Sequence, residues 1–170
     1  MNTTPRTLIL MRHGKSGYPA GVPDYDRPLA ARGRREAHLA GEWMNDDALD
    51  VDAVICSGAE RTRQTLQRTG IDVPTIYTDE IYQNTPEDVL EAIRAYAPDD
   101  AKTLLVVGHF PGLPMTALML DADCAMGEFP TSAYVVLRIG VPWDRIGLDV
   151  DPQAHFAAFR VPRAEEDAED

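Results

Sequence analysis

The stretch Leu8-Ile9-Leu10-Met11-Arg12-His13-Gly14 decides the architecture. An unbroken apolar run that stops in a polar, glycine-bearing turn is the pattern of a strand buried on both faces, delivering its last residues to a ligand-binding edge. The pattern returns in Leu104-Leu105-Val106-Val107-Gly108-His109-Phe110-Pro111-Gly112. In open α/β sheets the ligand site lies at the carboxyl ends of the strands. Two imidazoles delivered there suit either a nucleophile with its partner or a pair of metal ligands. Arg12 favours the first, because a fixed guanidinium repels a dication and attracts a phosphate. No third ligand stands at a recognisable spacing such as HxxxH, and the GxxxxGK[ST] order of a P-loop is absent.

Working outward, strand and helix patterns alternate. Residues 6–12 read as the first strand. Residues 14–27 hold Gly14, Gly17, Pro19, Gly21 and Pro23, too many breakers for regular structure. A helix is expected next, with Asp26 near its N-cap and Pro28 in its first turn. Leu29, Gly33, Ala37, Ala40 and Met44 form its apolar stripe. Residues 51–56 read as a second strand, and Ser57 as the cap of a helix that Gly70 closes. Residues 74–78 make a short third strand. Thr85-Pro86-Glu87-Asp88 starts a helix with a cap, a first-turn proline and two acids against the dipole. Residues 103–108 are the fourth strand, 114–120 a helix, 131–139 a fifth strand and 155–160 a last edge strand. The order β-α-β-α-β-α-β-α-β-β predicts a three-layer α/β/α sandwich on a mostly parallel, mixed sheet.

The 170 residues suit one domain, residues 1–162, followed by an acidic tail at 163–170 expected to be disordered. A net charge of −12 argues against nucleic acid or an anionic membrane as partner, since both need a basic footprint. It does not exclude a phosphate substrate. At physiological salt the Debye length is about 8 Å, so arginines inside a cleft dominate locally. No apolar stretch approaches the ~20 residues of a membrane span. The N-terminus enters a strand directly, without the layout of a signal peptide, and a cytoplasmic location is expected. Cys56 and Cys124 stand outside any CxxC spacing and read as small buried residues in a reducing compartment.

Three strand ends thus supply polar groups to one edge: Arg12 and His13, then Ser57 with Arg61 one helical turn later, then His109. A helix N-terminus there adds free N–H groups. Two guanidiniums and one or two imidazoles around one point suit a tetrahedral dianion. His38 and His155 read as surface or structural residues. Arg32, Arg34, Arg35 and Arg63 read as a solvated helix face.

Leu10-Met11-Arg12-His13-Gly14-Lys15-Ser16, Ser57-Gly58-Ala59-Glu60-Arg61-Thr62-Arg63 and Gly108-His109-Phe110-Pro111-Gly112 together resemble the histidine phosphatase superfamily, whose hallmark is Arg-His-Gly. Asp26-Arg27-Pro28-Leu29 and Phe129-Pro130-Thr131-Ser132 are similar to segments of its small SixA-like branch. The resemblance covers about residues 6–139. It implies a phosphoglycerate mutase-like fold and a phosphatase that needs neither metal nor cofactor. His13 would take the phosphoryl group, Arg12 and Arg61 would bind its oxygens, and His109 would stabilise the transition state. Arg27, Gly14 and Ser16 would add substrate contacts. The implied partner is a phosphohistidine protein or a small phosphorylated metabolite, such as a sugar or nucleotide phosphate.

One departure is informative. Many superfamily members carry a glutamate general acid where this chain has Gln83. Glu80, Asp24 and Asp26 are the carboxylates that could substitute. A general acid contributes about 10²–10⁴-fold, so without one the substrate needs a good leaving group. Phosphohistidine has one. A phosphate-binding module without turnover is the alternative that Gln83 keeps open.

Overall fold

The computed structural model describes residues 5–150 and 153–163. Most of the expected acidic tail, residues 164–170, lies outside them. Six strands form one sheet: β1 (Arg6–Arg12), β2 (Ala53–Ser57), β3 (Thr75–Thr78), β4 (Thr103–Gly108), β5 (Tyr134–Ile139) and β6 (Ala154–Arg160), in the order β3-β2-β4-β1-β5-β6. The pairs β1·β4, β2·β4 and β2·β3 are parallel; β5 runs antiparallel to β1 and to β6. The helices are α1 (Ala31–Asp46), α2 (Glu60–Thr69), α3 (Pro86–Tyr96) and α4 (Gly112–Leu120).

Strand alternation sorts the core into two halves. Leu8 and Leu10 of β1, Ile55 of β2 and Leu104 and Val106 of β4 pack with Val89, Ile93, Leu113 and Ala117 of α3 and α4. Ile9, Met11, Val54, Cys56, Leu105 and Val107 face the other way, toward Ala40, Met44 and Leu66 of α1 and α2. The central strands are buried on both sides because helices cover both faces. This is the expected three-layer α/β/α sandwich.

Element ends hold the corrections. Helix α1 starts at Ala31, with Ala30 as its N-cap, not near Asp26. Asp24–Asp26 instead form a 3₁₀ turn. Ser57 is not a helix cap but the last residue of β2, and α2 starts at Glu60 behind Ala59. The strand expected from residue 131 starts at Tyr134, after a turn in which Ser132 takes a φ of 67°. The α3 cap forms as read: Thr85 Oγ1 accepts from Asp88 N–H at 3.2 Å, and Asp88 Oδ2 accepts from Thr85 N–H at 2.9 Å.

Two glycines set the approach of α1 to the turn after β1. A Cβ on Gly33 would run into the Lys15 carbonyl, and one on Gly14 would sit 2.9 Å from the Gly33 carbonyl oxygen. Both obstacles are backbone, so neither side can yield cheaply.

Candidate active site

The strand register builds the site. Arg12 pairs with Gly108 in the parallel β1·β4 ladder, so the next residues, His13 and His109, leave the sheet side by side. Cys56 pairs with Val107, which sets Ser57 level with the same edge. The main chain of His13 is clamped: its N–H donates to Gly108 O at 3.0 Å, and its carbonyl accepts from Ser132 N–H at 3.0 Å. The two imidazole rings lie 5.3 Å apart, centroid to centroid.

Arg12, His13, Arg61 and His109 line one cleft of about 430 Å³. Asp24, Tyr82 and Gln83 line it too. A larger hollow of about 690 Å³ lies at the other end of β1, between Thr7, Arg138 and His155, away from this chemistry.

His13 Nδ1 lies 2.7 Å from the Gly14 carbonyl. A carbonyl oxygen only accepts, so Nδ1 carries the proton and Nε2 keeps its lone pair. Burial, together with the cations Arg61 and Arg12 and the neighbouring His109, pushes the His13 pKa down to about 3. Burial, with Arg61 and Arg12, lowers His109 to about 4, against an opposing pull from Asp24. Both rings are neutral at pH 7. His109 Nε2 pairs with Ser57 Oγ at 2.8 Å.

Protein acceptors hold both guanidiniums in place. Arg12 Nη1 donates to Phe129 O at 2.9 Å, and its head lies 5.0 Å from the Phe110 ring centre. Arg61 Nη1 donates to the Asp24 carbonyl at 2.7 Å, and Nη2 to Asp24 Oδ2 at 3.1 Å. The Nε atoms of both arginines are buried without a hydrogen-bond partner.

The 3₁₀ turn at Asp24–Asp26 carries the third charged element. Asp24 accepts from Arg61, from Arg27 Nε at 3.0 Å, and from the Tyr82 hydroxyl. Those hydrogen bonds, with the Tyr82 bond the largest contribution, hold its pKa down to about 2. The other expected acids stand elsewhere. Glu80 accepts from Tyr96 Oη at 2.5 Å and, like Asp26, is not among the lining residues. Gly14, Ser16 and Arg27 are not among the lining residues. The Gly14 N–H donates to Thr65 Oγ1 at 2.8 Å, and Arg27 Nη1 to Ser16 Oγ at 2.8 Å.

Two participants, Tyr82 and Thr65, escape pattern reading, and Ser57, expected at this edge, has a role there that its residue type does not announce. Tyr82 sits in an aperiodic stretch, yet its ring packs edge-on to His109 at 5.5 Å. Ser57 looks like a helix cap until its hydroxyl is seen on His109. Thr65 reads as an ordinary helix residue.

The buried neutral imidazoles predict how stability responds to acid. Unfolded histidines protonate below about pH 6.5, whereas folded His109 and His13 resist down to about 4 and 3. The unfolded state therefore binds more protons in this window, and stability falls as pH falls from about 6.5 toward 3. Denaturant melts at pH 7, 5.5 and 4.5 should show the loss, and it should be shallower in the His13→Ala/His109→Ala double variant. An equal slope in both proteins would contradict it.

Comparison with known proteins agrees with the geometry. The family model described as histidine phosphatase superfamily (branch 1) matches residues 8–83. An uncharacterized protein of Mycobacterium tuberculosis strain H37Rv is 47% identical over 163 residues, covering 90% of this chain and 100% of that one. The phosphohistidine phosphatase SixA of Escherichia coli K12 is 26% identical over 129 residues, covering 72% of this chain and 76% of that one. The solved structure of a protein from Nakamurella multipartitia, described as a putative phosphohistidine phosphatase SixA, superposes with a TM-score of 0.84 at 37% identity, covering 94% of this chain and 98% of that one.

Proposed function

This chain belongs to the histidine phosphatase superfamily, and from that premise we propose a metal-independent phosphatase that works through a phosphorylated His13 on protein phosphohistidine. The observation that carries this reading is the Gly14 carbonyl on His13 Nδ1, which leaves Nε2 unprotonated, with its lone pair free, in a cleft with two arginines. Phosphoryl transfer asks a protein mainly for in-line positioning and for charge on the equatorial oxygens. Arg12 and Arg61 supply that charge and His109 supports the phosphoryl group. A phosphohistidine intermediate divides one displacement into two easier ones.

The choice of phosphohistidine follows from the lining. Among the described residues Asp24 is its one carboxylate, and that group is ionised at neutral pH. Gln83 cannot protonate an alkoxide. A protonated phosphohistidine needs no such help, because its imidazole leaves as a neutral molecule. Gly14, Ser16 and Arg27 then act by holding the nucleophile loop and Asp24, rather than by touching substrate. Among the described residues no helix is long and apolar enough to cross a membrane, and both cysteines are free thiols. These features suit a reducing, cytoplasmic setting.

The test is turnover of p-nitrophenyl phosphate and of phosphohistidine, with and without a chelator. Chelator-resistant hydrolysis of phosphohistidine, at a kcat/KM at least tenfold above that for the aryl phosphate, is expected. A preference for the aryl phosphate would favour a small-molecule phosphomonoesterase. Vanadate binding without turnover of either compound would leave only a phosphate-binding module.

A further inference from the structure

We propose that Asp24 is a specificity residue: its carboxylate accepts the distal ring N–H of the substrate's phosphohistidine and so selects leaving groups that bring their own proton. This rests on the phosphohistidine reading above and assigns to it a residue and a chemical reason.

Depth in the cleft places Asp24 on the leaving-group side. His13 and His109 are 8% and 5% exposed, and the Arg61 side chain 8%. The Asp24 side chain is 54% exposed. A nucleophile at the floor attacks in line, so the departing group points outward, toward the rim where Asp24 and Tyr82 stand.

The charge state of the rim fits an acceptor and not a donor. Asp24 faces Arg27 and Arg61, the Tyr82 hydroxyl and, across the cleft, the His109 imidazole. The Tyr82 hydrogen bond first, and then the two cations, keep it ionised. An ionised carboxylate is the wrong group beside an alkoxide, which it would repel. It is the right group beside an imidazolium, whose proton it stabilises. At rest Oδ2 accepts from Arg61 and Tyr82, and Oδ1 from Arg27. A phosphoryl group that draws Arg61 toward itself releases a lone pair on Oδ2, and the substrate N–H takes it.

The arrangement then becomes symmetrical about phosphorus. His13 carries its proton on Nδ1, held by the Gly14 carbonyl. The substrate ring carries its proton on the nitrogen remote from phosphorus, held by Asp24. In the first step His13 Nε2 bonds phosphorus while the substrate P–N bond breaks. The bonding pair returns to the substrate ring, which leaves neutral with its distal N–H intact. In the second step water bonds phosphorus, the P–N bond to His13 breaks, and that pair returns to Nε2. Both water protons leave on dihydrogen phosphate. Neither step asks the protein for a general acid, and a site built this way has no use for a glutamic acid at position 83.

The experiment compares phosphohistidine with p-nitrophenyl phosphate in wild type and Asp24→Asn. In wild type, kcat for phosphohistidine should fall at alkaline pH as the bound imidazolium loses its proton, and the aryl phosphate should show no such limb. Asp24→Asn should move that limb down by about 1 to 2 pH units, the shift expected when an adjacent opposite charge is lost. It should also lower the ratio of kcat/KM for phosphohistidine over aryl phosphate by about 100-fold, part of it through faster aryl phosphate turnover. A purely structural role for Asp24, as the anchor of Arg61, would depress both substrates equally and leave the limb in place; that outcome overturns the proposal. So does a wild-type limb common to both substrates, which needs no variant to observe. Wild type that hydrolyses aryl phosphate but not phosphohistidine would instead overturn the functional reading beneath it.

Discussion

His13→Ala should reduce turnover by about 10⁴-fold or more and should abolish the phosphoenzyme. Removing a covalent nucleophile removes the pathway and not merely one interaction along it. A 10⁴-fold loss corresponds to about 5 kcal/mol of transition-state stabilisation. Alanine also removes a buried imidazole that resists protonation, so the variant should fold and keep its two guanidiniums. Vanadate should still bind through Arg12 and Arg61. The decisive measurement is rapid quench with labelled substrate. Wild type should yield a protein-bound phosphate that survives alkali and is lost in acid, the behaviour of a phosphoramidate. His13→Ala should yield none. A labelled His13→Ala protein with residual turnover would move the nucleophile to His109, the neighbouring neutral ring.

Most of this site is legible before any coordinates, and for a physical reason. Parallel strands end at one edge, so the apolar runs of β1, β2 and β4 bring Arg12, His13, Ser57 and His109 together there. Arg61 followed from one helical turn of offset. What stayed hidden was whatever tertiary packing set against local preference. Asp26 and Pro28 carry the chemistry of a helix start, yet α1 waits until Ala31, because the 3₁₀ turn at Asp24–Asp26 is used to carry Asp24 onto Arg61. Ser57 has the right residue type for a cap, but its hydroxyl is engaged by His109. Gly33 fits the apolar stripe of α1, but its lack of a side chain serves the backbone contact with Lys15, a contact that no periodicity displays. Tyr82 lies in a segment without period, so nothing marks it before the fold brings it over His109.

Arg61→Ala should cost about 10²–10³-fold in kcat/KM, the usual loss when one fixed donor to a developing anion is removed. The loss alone does not distinguish a phosphate ligand from an anchor for the 3₁₀ turn, but the pH profile does. The Arg61 cation lowers the pKa of both His13 and His109. Its removal should raise both, with burial, the largest cause, still holding them below the ordinary imidazole value and Arg12 left to oppose Asp24 at His109. Only neutral His13 can attack, so rate falls as pH drops through its pKa. In wild type this acid limb should lie well below pH 5, since His13 stays neutral down to about 3. In Arg61→Ala the limb of kcat/KM, which reports the free enzyme, should move upward while burial keeps it on the acid side of the ordinary imidazole range. Arg61→Lys should restore the position of the limb better than it restores the rate. A lysine returns the positive charge, but a single ammonium cannot span the Asp24 carbonyl and carboxylate as the two Nη atoms do, at 2.7 and 3.1 Å. An acid limb that stays in place in Arg61→Ala would mean that Arg61 does not set the charge state of the nucleophile. The cluster of strand-end residues would then be a shape without the electrostatics proposed for it.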